Sequence, residues 1–137
     1  MSEITQTAWN EDPYVAALPE NRPFWQAAEE GRLLGKVCKA CNKFHWYPRV
    51  VCPFCWSADT HWVPLSGRGE VYAFSTLRRA NPPYTLAYVQ LAEGPAMLTN
   101  LVDMAETDMR IGAPVQVVFS RTEDGRMAPK FTKMETT

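Results

Sequence analysis

From residue 70 onward, apolar and polar positions alternate with period two, the spacing that sends successive side chains to opposite faces of a β-strand. Glu70 to Arg78 sets Val71, Ala73, Ser75 and Leu77 on one face and Tyr72, Phe74, Thr76 and Arg78 on the other. Tyr84 to Leu91 follows across an Asn81-Pro82-Pro83 turn, and Glu93-Gly94-Pro95 turns the chain into a third strand, Met97 to Val102. Ala105 to Met109 has room for one helical turn. Beyond Gly112-Ala113-Pro114 a fourth strand directs Val115, Val117 and Phe119 inward, Thr122 to Gly125 turns again, and Met127 to Thr132 closes the series. Five strands with a small helical interruption between the third and fourth are the order of an OB-fold barrel.

Upstream the grammar differs. Residues 1–12 are polar and predicted to be loose, and Tyr14, Val15 and Leu18 are spaced for a single helical turn before Pro19 stops it. Asn21 can cap a second helix, Pro23 suits its first turn, Phe24, Trp25 and Ala28 share a face, and Gly31 ends it. A helix this short is marginal in water unless it packs against something. Phe24 and Trp25 therefore cover either this chain's own ribbon or barrel, or a partner subunit. Leu33 to Val37 reads as a strand, and Ser66-Gly67-Arg68-Gly69 permits a sharp reorientation into the alternating region. The expected organisation is mainly β: an N-terminal helical segment over 1–32, a metal-stapled ribbon over 33–65 and an OB-fold barrel over 66–137.

The ribbon assignment rests on the cysteines. All four lie in two pairs, Cys38-Lys39-Ala40-Cys41 and Cys52-Pro53-Phe54-Cys55. Two residues between paired cysteines let both sulfurs of a knuckle face one ion, and two knuckles supply the four thiolates of a tetrahedral structural site. The intervening ten residues suffice for a short hairpin carrying Phe44, His45, Trp46 and Tyr47 on its arms. Structural zinc is the expected metal, with a rubredoxin-like iron site as the alternative. Two disulfides are the bland reading. The N-terminus has no basic-then-apolar leader, so a reducing, cytoplasmic setting is expected instead. Asn42 and Trp56 follow the second cysteine of each knuckle, where a left-handed backbone and hence glycine are usual, so Trp56 is either strained or marks a different turn.

Composition narrows the rest. The 137 residues carry a formal net charge of −1, which argues against a general polyanion binder, and no apolar run approaches the ~18–20 residues of a membrane span. Eleven prolines cut the chain into short elements. No catalytic constellation is apparent: His45 and His61 have no nucleophile or carboxylate in their local pattern, and a four-thiolate site leaves a metal no open position. Arg49, Arg68, Arg78 and Arg79 are either solvated charges balanced by Asp59, Glu70 and Asp103, or a set from which Arg49, Arg78 and Arg79 meet the phosphates of coenzyme A. Tyr72 and Phe74, two apart on a strand, are a candidate stacking platform for single-stranded nucleic acid.

Ribbon, barrel and their order resemble a zinc-ribbon/OB-fold family first known as a domain of unknown function and associated with acyl-CoA metabolism. The resemblance runs almost end to end. It is carried by Pro23-Phe24-Trp25, Glu30-Gly31-Arg32-Leu33, both knuckles, Pro48-Arg49, and Ser66-Gly67-Arg68-Gly69-Glu70-Val71-Tyr72. Pro83-Tyr84, Leu91-Ala92-Glu93-Gly94, Leu98-Thr99-Asn100, Ile111-Gly112-Ala113-Pro114-Val115 and Pro129-Lys130-Phe131 continue it. The resemblance implies a non-catalytic accessory subunit of a thiolase-like enzyme, one that can border the partner's acyl-CoA site. On that reading Phe24, Trp25, Trp46 and Tyr47 form the contact surface, and so much aromatic surface is expected to leave the chain alone either sticky or self-associated. A stand-alone acyl-CoA binder and a nucleic-acid binder are the alternatives.

Overall fold

The computed structural model describes residues 9, 11–46 and 48–134. The chain divides into two compact units. The first runs to Leu65 and includes Phe119–Pro129; the second comprises Ser66–Val118 and the segment from Lys130.

The first unit includes a one-turn helix, Pro13–Ala17, capped by Asp12, whose carboxylate accepts from the Tyr14 N–H at 2.7 Å. Asp12 is fully buried, so the loose segment expected over 1–12 does not extend to it; residues 1–8 and 10 lie outside the described residues. The same carboxylate accepts from the backbone N–H of Arg126 at 3.2 Å and from its Nη1 at 3.1 Å. The Arg126 guanidinium in turn lies 4.6 Å from the Tyr14 ring centre and 5.6 Å from that of Trp25.

The second helix, Arg22–Glu29, has Pro23 in its first turn. Asn21 sits at the N-cap but makes no side-chain capping bond, contrary to expectation. The C-terminus closes as foreseen at Gly31, φ +78°. The Gly31 N–H donates to the Ala28 carbonyl and the Arg32 N–H to that of Ala27, the paired bonds of a Schellman motif.

Three strands follow, β1 Leu34–Cys38, β2 Phe44–His45 and β3 Thr60–Pro64, in the order β2-β1-β3. Flanked on both edges, β1 is buried along its whole length. The hairpin differs from the one read in the sequence. Phe44 and His45 pair back onto Val37 and Lys36 around the first knuckle, and among the described residues no second arm forms between the knuckles. Gly35 lets β1 pass close to Leu65, whose side chain would have to shift for an added Cβ lying 2.8–3.0 Å from it.

The expected five-stranded barrel contains β4 Arg68–Leu77, β5 Tyr84–Leu91, β6 Ala96–Leu101, β7 Pro114–Arg121 and β8 Met127–Lys133, closed in the order β4-β5-β6-β8-β7. All of it belongs to the second unit except the end of β7 from Phe119 and the start of β8 up to Pro129. A 3₁₀ turn, Glu106–Asp108, stands between the third and fourth strands of the barrel. Val71, Val89, Met97, Val115 and Phe131 fill its centre. The face assignment along β4 is corrected by a bulge. Val71 pairs with Val89 but Ala73 with Tyr88, so Tyr72 is an extra residue and the alternation reverses beyond it. Phe74 and Thr76, opposite buried Ala87 and Thr85, share the face of Val71; Ala73, Ser75 and Leu77 lie on the other.

Candidate functional site

The two knuckles are near copies of one another. Each starts with a cysteine N–H donating to a carbonyl five residues on, Cys38 to Lys43 at 3.0 Å and Cys52 to Ser57 at 2.8 Å. Each closes with a bond back to that first cysteine's carbonyl, from Asn42 N–H at 2.7 Å and Trp56 N–H at 2.9 Å. Closing the loop this tightly puts residues 42 and 56 in the left-handed region, at φ +60° and +68°. Asparagine adopts that conformation readily. Tryptophan does so at a cost of about 1–2 kcal/mol, so the strain read in the sequence is present.

This folding brings all four Sγ atoms within 4.8 Å of one another, with Cys38 and Cys55 3.5 Å apart and Cys41 and Cys52 3.8 Å apart. None of the four is in a disulfide. A tetrahedral ion with bonds of about 2.3 Å needs sulfurs about 3.8 Å apart, so the residues fit a four-thiolate metal site. The surroundings favour thiolate at one position first. Burial pushes the Cys52 thiol up, but the N–H groups of Cys55 and Phe54 and the neighbouring thiols outweigh it and bring it down to about 7. The Phe54 N–H lies 3.3 Å from this sulfur. At Cys55 the Ser57 N–H draws the value down, while the Cys38 thiol, burial and the other two cysteines push it up to about 12. A cation among the four sulfurs is what allows them all to ionise together.

His45 is buried beside this centre, not exposed on a hairpin. Its Nε2 accepts from the Arg49 N–H at 3.3 Å, which leaves the ring proton on Nδ1, an atom with no partner among the described residues. Burial, then the charges of Lys36 and Arg49, lower its pKa and keep the ring neutral. His61 does have a carboxylate nearby, Asp59 at 2.6 Å, and both side chains are exposed. Lys36, which the sequence did not single out, is buried with Nζ 4.6 Å over the Trp62 ring and 3.5 Å from Thr60 Oγ1, and burial lowers its pKa.

Of the residues expected to face a partner, Phe24, Trp25 and Trp46 form a cluster of rings. Phe24 is buried, its ring edge-on to Trp25 at 4.8 Å and 5.4 Å from Trp46. Trp25 meets Tyr14 at 5.9 Å, and both tryptophans are half-buried. These rings consolidate the first unit; Tyr47 lies outside the described residues. Tyr72 and Phe74 do not share a strand face, because the bulge separates them, and they form no stacking platform.

Within the barrel unit, a cleft of about 630 Å³ is lined by Thr85, Asn100 and Lys130 among polar groups and by Tyr84, Leu86 and Met109 among apolar ones. The Lys130 ammonium donates to Asn100 Oδ1 at 3.2 Å, and Asn100 Nδ2 donates to the Thr85 carbonyl at 3.1 Å, so the polar wall is preorganised. Arg78 pairs at 2.6 Å with Glu106 of the cleft lining, not with Glu70 or Asp103; Arg49 and Arg79 are exposed. No helix among the described residues is long and apolar enough to cross a membrane.

Against known proteins, residues 25–61 match the family model of the ChsH2 rubredoxin-like zinc ribbon domain, and residues 62–120 match that of the ChsH2 C-terminal OB-fold domain. A DUF35 domain-containing scaffold protein of Methanocaldococcus jannaschii is 35% identical over 101 residues, 68% of this chain and 72% of its own. The benzoylsuccinyl-CoA thiolase subunit BbsA of Thauera aromatica is 31% identical over 108 residues, 74% of each chain. A probable enoyl-CoA hydratase alpha subunit of Thermomonospora curvata is 32% identical over 121 residues, 84% of this chain, but the match spans only 38% of that longer protein. Among solved structures, the Ltp2-ChsH2(DUF35) aldolase superposes with a TM-score of 0.72 at 31% identity, covering 82% of this chain and 93% of that one. With the knuckles, the barrel and these relatives in agreement, the chain belongs to the DUF35 family of zinc-ribbon/OB-fold proteins.

Proposed function

We propose that this chain is a non-catalytic, zinc-binding accessory subunit of a thiolase-like acyl-CoA enzyme, bordering the partner's acyl-CoA site. The observation that carries the reading is the closed sulfur centre in a chain whose relatives are subunits. Cys38, Cys41, Cys52 and Cys55 supply four donors to one ion, which leaves no position for water or substrate. When bound, zinc supplies a crosslink that holds two knuckles and β1 in register. The four sulfurs orient it, the N–H groups of Phe54 and Ser57 stabilise the thiolate charge, and neutral His45 braces the turn at Arg49.

The relatives supply the class of partner. One is named a thiolase subunit, others are named scaffold proteins, and the superposed structure is an aldolase named for two components. An acyltransferase, a condensing enzyme or an aldolase each fits as the partner. Arg78 and Arg79 follow the first barrel strand, at the loop through which OB-folds bind, and are our candidates with Arg49 for the phosphates of coenzyme A. Meeting a phosphate requires Arg78 to leave Glu106. Both members of that pair are exposed, so it is worth little and the exchange is inexpensive.

The test is purification of the tagged chain from its own cells, with metal analysis and mass spectrometry of what accompanies it. A stoichiometric thiolase-like subunit and one zinc per chain are expected. Zinc without such a subunit overturns the reading in favour of a stand-alone acyl-CoA binder, and iron in its place overturns the choice of metal.

A further inference from the structure

Trp56 is the anomaly of the ribbon. Its backbone is held at φ +68° by the Trp56 N–H bond to the Cys52 carbonyl, in a conformation that glycine or asparagine takes far more readily. Asn42 occupies the matching position of the other knuckle. A strained residue is retained when its side chain contributes something that the easier residue lacks. Packing within the chain is not that contribution, because Trp56 is 79% exposed.

Nor is Trp56 isolated. Phe54 is 56% exposed, Val50 55% and Val51 39%, so the second knuckle and the loop before it present an apolar tip. Taking each aromatic ring as ~200 Å², these four residues expose roughly 400 Å² of apolar surface. That is as large as the biggest patch on a typical monomer, and it suits the dry centre of an interface burying about 800 Å² per partner. The tip also stands on a rigid base: Phe54 and Trp56 are tied by their backbones to Cys52, and Lys43 lies 5.1 Å over the Phe54 ring. An anchor residue pre-set by the metal knuckle loses little freedom on docking.

We infer that the apolar tip of the second knuckle, with Trp56 as its anchor and Phe54, Val50 and Val51 around it, is the surface that docks into an apolar recess of the thiolase-like partner subunit. The inference rests on the function proposed above. It moves the contact from Phe24 and Trp46, whose rings consolidate the first unit, to residues that leave their apolar surface in solvent. Tryptophan is the residue type most often found to dominate such interfaces.

The experiment uses the thiolase-like subunit recovered with the chain, purified and titrated calorimetrically against wild type, Trp56→Gly, Trp56→Asn and Tyr88→Asp. The last alters a second exposed apolar patch, the barrel face of Tyr84, Leu86, Tyr88 and Leu98. Trp56→Gly and Trp56→Asn should weaken binding at least 30-fold, keep one zinc per chain and raise the urea midpoint of the ribbon. Tyr88→Asp should stay within threefold of wild type. A merely structural role for Trp56 cannot yield a more stable protein that binds worse. Binding within threefold of wild type by the Trp56 variants, or its loss in Tyr88→Asp alone, overturns the docking surface while leaving the accessory role intact. Wild type that ignores the subunit and sediments as a dimer split by Trp56→Gly assigns the tip to a second copy, and overturns both. A monomer that binds no such subunit also overturns both.

Discussion

Replacing Asp12 by alanine should be the most damaging single change in the N-terminal segment. The carboxylate is fully buried and accepts from the N–H of Tyr14 in the Pro13–Ala17 helix, from the Arg126 N–H, and, on both oxygens, from the Arg126 guanidinium. Removing one partner of a buried ion pair costs about 3–5 kcal/mol. The low end applies here, because the Arg126 side chain is 21% exposed and Asp124 stands 3.8 Å from it. We expect about 3 kcal/mol for Asp12→Ala. Asp12→Asn keeps an oxygen for the Tyr14 N–H and loses only the charge, so about 1.5 kcal/mol is expected. With a urea dependence of about 1.5 kcal/mol per molar, the midpoints fall by about 2 M and 1 M. The assay is urea unfolding by tryptophan fluorescence at fixed zinc. The pH dependence has a definite sign. Burial raises the Asp12 pKa, but the Tyr14 N–H and Arg126 lower it more, leaving it below the ordinary 3.8. The unfolded chain then takes up the proton first, so the stabilisation is complete above about pH 4 and is lost as pH falls through the depressed native value. The gap between wild type and Asp12→Ala should narrow over that range without vanishing, because protonated Asp12 still accepts from the Tyr14 N–H. A midpoint for Asp12→Ala within 0.3 M of wild type at pH 7 would refute the reasoning.

Three further expectations concern the barrel, the end of the second helix and the metal. Gly69→Ala puts a Cβ 2.5 Å from the Gln90 carbonyl oxygen and 2.8 Å from Val89 Cγ1; backbone cannot step aside, and a loss of about 2–3 kcal/mol is expected by thermal unfolding. Gly31→Ala meets open space and is strained only by its φ of +78°, so about 1 kcal/mol is expected in the same measurement. Zinc binding to metal-free protein at pH 7 should release between three and four protons, because Cys52 titrates near 7 while Cys55 is pushed up to about 12; calorimetry in two buffers of different ionisation enthalpy counts them, and fewer than two would contradict a four-thiolate site.

The features legible in the sequence were those written in local spacing. Cysteine pairs two residues apart, glycine at the end of the second helix, and alternating strands broken by turn residues each specify their own conformation within a few positions. Features that depend on tertiary pairing were not legible. Nothing around Tyr72 announces an extra residue, since the alternation reads smoothly through it; only pairing against β5 shows the bulge and transfers Phe74 to the face of Val71. Asp12 looked like part of a polar tail because its partner, Arg126, lies 114 residues away. His45 was placed only on a hairpin arm and Lys36 was not singled out, yet β2 and β3 flank β1 and both are buried. The burial of Phe24 was not legible for a related reason. Large aromatics on a short helix satisfy a partner or a neighbour equally well, and Phe24 is packed against the rings beside it. The strain at Trp56, by contrast, was visible in advance, because it follows from the knuckle geometry alone.

The central claim is that this chain supports the chemistry of another subunit without performing it. The most direct measurement is acyl-CoA turnover by the purified thiolase-like subunit alone, by this chain alone, and by the two titrated together. The account predicts no turnover by this chain, little by the isolated subunit, and a rise that saturates at one chain per subunit. Turnover by this chain alone, or a partner whose rate is indifferent to its presence, would contradict it.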